Sequence, residues 1–142
     1  MARMRWVGVL EAVLLLATGV CFAQEAGGKA GAADVRAIIA GVWRGNSVCV
    51  ERSSPCHDEV NVYRFSRVEG KANTFLVTAS KVVEGKEIVM GSGEWKYDEA
   101  TKTLESEKPR IRLAMLRDNW MEGALTLDDG REYRKIRLKK AS

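Results

Sequence analysis

The chain has 142 residues, 46% of them hydrophobic and 30% charged, and a formal net charge of +4. That length favours one domain and excludes a multidomain enzyme, and the composition is that of a globular rather than a disordered or collagen-like chain. Lysine and arginine (23) exceed aspartate and glutamate (19) by a small, scattered surplus, which argues against a nucleic-acid partner.

Arg3 and Arg5 open a basic segment, residues 6–20 are almost entirely apolar, and Cys21-Phe22-Ala23 places small residues at −3 and −1. This pattern predicts a secretory signal peptide over 1–23, cleaved after Ala23. It is too short and wrongly flanked for a membrane anchor, and Val20 is too bulky before Cys21 for a lipoprotein signal. The expected location is exported, periplasmic or secreted, with no stable membrane insertion after cleavage. Residues 24–33 are rich in glycine and alanine without periodicity, as in a flexible leader. The expected folded domain is 34–142.

Asp34 is placed to cap a short helix over 35–40, with Val35, Ile38 and Ile39 on one face and Gly41 ending it. Then the pattern changes to short β-rich runs over 42–50, 59–68, 74–83, 87–97, 103–107, 110–116, 120–127 and 131–139. Turn residues such as Glu84-Gly85, Lys108-Pro109 and Asp128-Asp129-Gly130 separate them. The spacing is that of an all-β barrel or sandwich, and no connection is long enough for a crossover. The expectation is an eight-stranded antiparallel up-and-down β-barrel, because closure removes exposed strand edges. Alternation points Met121, Gly123, Leu125 and Leu127 inward. Val89, Gly91, Gly93, Trp95 and Tyr97 also share a face, whose glycines read as a site of barrel bending or close aromatic packing. The run 59–68 is ambiguous, with Val60 and Val62 on one side and Tyr63 and Phe65 on the other.

A short helix followed by Gly41-Val42-Trp43 at the start of the first of eight meander strands resembles the lipocalin-like (calycin) barrel superfamily. The segments Ser47-Val48-Cys49, Ser54-Pro55-Cys56-His57-Asp58-Glu59-Val60 and Met121-Glu122-Gly123-Ala124-Leu125-Thr126-Leu127 also resemble an uncharacterised group of small secreted bacterial proteins. The superfamily likeness implies a barrel floor where a basic side chain of the last strand covers the tryptophan. Here that expectation falls on Trp43 and Arg134, a guanidinium stacked on an indole. The chain lacks the Thr-Asp-Tyr-type motif of lipocalins.

Without residues 1–23 the chain retains Cys49 and Cys56, an even number in an exported protein, so one disulfide is expected. A metal site would need these cysteines plus His57, but neighbouring residues on an extended segment point to opposite sides. No metal and no cofactor are expected, and His57 is expected to be exposed. The pairs Asp58/Glu59, Asp98/Glu99 and Asp128/Asp129 sit in turns, as solvated turn formers rather than a general acid and base. With a single histidine and no local nucleophile motif, an enzyme is not expected. Arg131 and Tyr133 copy the Arg-x-Tyr of fatty-acid-binding proteins, yet their parity with Lys135 and Arg137 places them outside, with Arg134 inside.

Two function classes remain. One is a small binding module with an apolar ligand in the barrel mouth, lined by Trp95, Tyr97, Met121 and Leu125. The other binds an envelope protein through its leader, as a periplasmic protease inhibitor does. A third possibility is a barrel filled by its own side chains, without a ligand. The sequence leaves the oligomeric state unassigned.

Overall fold

Residues 34–52 and 55–142 are described by the computed structural model; the expected signal peptide and leader, 1–33, lie outside the described residues. One helix, α1 (Val35–Ile39), precedes eight strands: β1 (Gly41–Cys49), β2 (Glu59–Val68), β3 (Lys71–Val83), β4 (Lys86–Asp98), β5 (Thr103–Glu107), β6 (Arg110–Arg117), β7 (Trp120–Thr126) and β8 (Glu132–Lys140). Each strand pairs antiparallel with its successor, and β8 returns to β1, so the sheet is a closed barrel in sequential order. None of the described helices is long and apolar enough to cross a membrane.

Local chemistry accounts for the punctuation. Asp34 Oδ1 accepts the Arg36 backbone N–H at 3.1 Å, capping α1. Glu84 (φ 50°) and Gly85 (φ 79°) form the two-residue β3–β4 turn, in the backbone region that such hairpins require. Asp98 Oδ1 accepts from Ala100 N (2.8 Å) and Thr101 N (3.2 Å), and Asp129 Oδ1 accepts from Arg131 N (3.0 Å). Those backbone donors hold both carboxyls below their ordinary range, with Thr101 the largest influence on Asp98 and Arg131 on Asp129. These two aspartates are turn formers.

One end of the barrel is a packed floor. Trp43 is fully buried, and its indole N–H donates to Ile39 O at 2.8 Å. The register pairs Trp43 with Lys140, whose ammonium lies 5.7 Å from the indole centroid. The same ammonium donates to Ala40 O at 3.1 Å and to Ile38 O, so it satisfies carbonyls at the end of α1 that have no helical partner. Above this lock pack Phe65, Phe75, Tyr97, Leu104, Leu113, Met121 and Leu138.

Here the expectation for Arg134 is corrected. Arg134 pairs with Cys49, at the other end of β1 from Trp43. At ~3.3 Å per residue the two positions are about 20 Å apart, beyond the reach of any side chain. Lys140 takes the covering role because it, not Arg134, is in register with the tryptophan.

The bending glycines are also different from those expected. A Cβ on Gly45 would come within 1.8 Å of Arg137 O, and one on Gly123 within 1.8 Å of Arg112 O. The strands cross closely there, and only glycine permits it. A Cβ on Gly91 or Gly93 would meet nothing among the described residues within 4 Å.

Truncating the floor is expected to be costly. Trp43→Ala should lose about 3–5 kcal/mol in urea denaturation, from the cavity it leaves, and Lys140→Ala about 1–3 kcal/mol, from two carbonyls left without their donor. A loss below about 1 kcal/mol for Trp43→Ala would show that the floor does not hold the barrel.

Candidate functional site

The opposite end of the barrel is hollow. A cavity of about 350 Å³ opens there, walled by Val77, Trp95, Ile111, Leu125 and Ile136 and by the small residues Ala79, Gly91, Gly93 and Ser106. Three sequence features make it. Inward positions of β3 and β4 that face each other carry minimal side chains, Val77 opposite Gly93 and Ala79 opposite Gly91. A register shift after Ala79 displaces Met90 into the rim. Finally, β5 is short: it pairs with β4 only at residues 96–98, so the mouth half of β4 has no strand neighbour on that side among the described residues. Lys108 and Pro109, in the turn between β5 and β6, also line the cavity.

An aromatic layer separates cavity from floor. The Trp95 ring meets Tyr63 edge-on at 5.7 Å and Phe65 at 5.8 Å, and Phe65 meets Phe75 at 6.4 Å. Among the residues expected to line a ligand, the structure therefore brings Trp95 and Leu125 to the cavity. Tyr97 and Met121 do not reach it. Both are buried below the aromatic layer, Tyr97 opposite Leu104 and Met121 opposite Leu138. Sequence parity gave their face correctly but not their depth.

One wall is polar, built by β1, β2 and β8. Arg134, whose side chain is 12% exposed, points inward and approaches Glu59 Oε1 at 3.5 Å. Its Nη1 donates weakly to Ser47 Oγ (3.4 Å) and Ser47 O (3.5 Å). Asn61 Nδ2 donates to Ser80 O at 3.4 Å, which fixes the amide orientation and leaves Oδ1 buried without a partner. Tyr63, 3% exposed, lines the same wall. Burial, reinforced by the Glu59 carboxylate and opposed by Arg134, pushes its phenol up to about 12.

Glu59, Asn61 and Tyr63 were missed in the sequence because both faces of β2 carry buried residues, and Ser47, on β1, was not singled out although it shares the parity of Trp43. Val62, on the outer face between Arg44 and Ser80, is as buried as Asn61. The signal that could have found them is register. Once Trp43 is inward, its partner Tyr63 and then Asn61 and Glu59 must be inward too.

The remaining candidates lie elsewhere. Arg131 is outside, paired with Asp129 (2.8 Å) and Glu51 (3.1 Å). A bulge does intervene at Tyr133, which β7 skips in pairing Leu125 with Arg134 and Thr126 with Glu132, but Tyr133 does not line the cavity. The Cys49 and Cys56 sulfurs are bonded at 2.07 Å. Asp58 Oδ1 accepts from Cys49 N at 2.9 Å, so the disulfide loop is tied to the start of β2. His57 is exposed, and no group of three or more metal-ligating side chains occurs among the described residues.

No protein-family model matches the sequence, and no curated protein does. Among solved structures the chain is similar to a redesigned β-barrel, with a TM-score of 0.55 and 13% identity over 77% of this chain and 96% of that one. At that identity the likeness establishes the fold alone.

The buried phenol gives a measurable pH signature. Because Tyr63 is held neutral in the fold, its contribution to stability is complete below its ordinary value of 10 and is lost as pH rises toward about 12. Ultraviolet titration of the phenolates should show a late step near that value, absent in Tyr63→Phe. Complete titration of all tyrosines around their ordinary value would contradict the buried placement.

Proposed function

We propose that this chain is an exported, lipocalin-like, non-enzymatic binding module that holds a small apolar molecule in the barrel mouth. The cavity carries the reading. Its volume falls in the range of small-molecule sites, roughly 300–1,000 Å³, and its wall is mostly apolar with a few convergent polar groups. A barrel evolved only for stability would fill that space, since each unfilled methyl-sized void costs about 1 kcal/mol. Gly91 and Gly93 instead keep it open.

Other features support the remaining parts. The Cys49–Cys56 bond fits an oxidising compartment. The Ser47 hydroxyl in the cavity faces a guanidinium rather than a base, which offers no activated nucleophile. A second reading, a protein-binding module, draws on Ile88, Val89 and Met90, which are exposed on the half of β4 that lacks a β5 partner among the described residues.

N-phenyl-1-naphthylamine, a neutral apolar fluorophore, tests the first reading. The protein should bind it saturably, with enhanced emission. Gly93→Leu places a side chain into the space beside Trp95 without backbone strain, and should weaken binding by about tenfold or more, some 1.4 kcal/mol. Absence of binding, or binding indifferent to Gly93→Leu, would favour the protein-binding alternative.

A further inference from the structure

The polar wall of the cavity carries no net ionic charge and leaves acceptors as well as donors incompletely matched. Glu59 and Arg134 face each other, so the wall's partly buried ionic charges cancel. Lys108 is the other charged side chain lining the cavity, but it is exposed at the rim, where water screens it. Two acceptors are unmatched or weakly matched. Among the described residues Asn61 Oδ1 has no partner, and Glu59 has only the 3.5 Å approach of Arg134. The neutral Tyr63 hydroxyl makes no hydrogen bond to a described residue and can donate or accept.

On the reading that this cavity holds an apolar molecule, we propose that the molecule is uncharged and ends in a hydroxyl or amide, and that Glu59 sets this preference. A hydroxyl or amide brings a hydrogen for Glu59 or Asn61, while its oxygen accepts from Arg134 or Tyr63. A carboxylate brings acceptors only. It leaves Asn61 Oδ1 unsatisfied and puts a second negative charge beside Glu59, in surroundings with little water to screen the repulsion. An alkyl body without any polar end leaves the wall as it is. Glu59 is thus a specificity residue: it neutralises Arg134 and repels anionic ends.

The test is a competition series on the full chain, displacing N-phenyl-1-naphthylamine with octan-1-ol, octanamide, octanoate and octane. Octan-1-ol and octanamide should displace the probe at concentrations about tenfold or more below those of octanoate or octane. Glu59→Gln removes the repelling charge and frees Arg134, so it should tighten octanoate until the gap to octan-1-ol is within about threefold. Near-ultraviolet circular dichroism would establish that this variant keeps its fold. Octanoate or octane displacing as well as octan-1-ol in the unaltered protein would overturn the proposal. So would a gap unchanged in folded Glu59→Gln. Failure of the fluorophore to bind at all would overturn the cavity reading itself, a different outcome from a wrong ranking among ligands that do bind.

Discussion

The seam between β1 and β8 is the constraint on which the barrel depends. It closes the sheet, and it does so through three residues in a short stretch of β1. Trp43 fills the floor, Gly45 lets the β8 backbone approach within contact of the β1 backbone, and Ser47 stands at the base of the polar wall. Lys140 then joins three elements with one ammonium: the β8 end, the α1 carbonyls and the indole face. A long flexible lysine suits that task, because its stem runs along apolar surface while its head reaches polar groups. Without the seam the sheet would have two open edges and no end.

Closing one end firmly allows the other to be left open. The interior changes character along the axis, from large rings and branched side chains at the floor to glycine, alanine and serine at the mouth. The aromatic layer of Tyr63, Phe65, Phe75 and Trp95 lies between the two halves and gives the cavity a rigid base. The large packed side chains lie in one half and the cavity in the other. The Cys49–Cys56 bond staples the β1–β2 connection at the mouth end, where there is little core to order it.

Much of this was legible in the chain. The eight runs, the capped helix, the meander order and the cysteine pair follow from alternation, turn residues and cysteine count, and the strands lie within a few residues of where the pattern puts them. The inward placement of Arg134 also followed, from the cost of burying Lys135 and Arg137 instead. What alternation cannot supply is height along the axis. Arg134 and Lys140 share a face, and only the β1–β8 register decides which of them meets Trp43. Tyr97 and Met121 share the inward face with Trp95 and Leu125, yet they lie deeper. Glycine is ambiguous in the same way: one Gly permits backbone contact, as Gly45 and Gly123 do, and another leaves a void, as Gly91 and Gly93 do.

On the proposed reading, the hollow mouth holds a small molecule. Native mass spectrometry of the protein purified from the cells that make it addresses that claim directly. The expected result is a folded polypeptide carrying one small-molecule mass excess, which is lost on gentle activation and absent from Gly93→Leu prepared in the same way. A folded, unaltered protein that shows only the bare polypeptide mass, indistinguishable from Gly93→Leu, would contradict it.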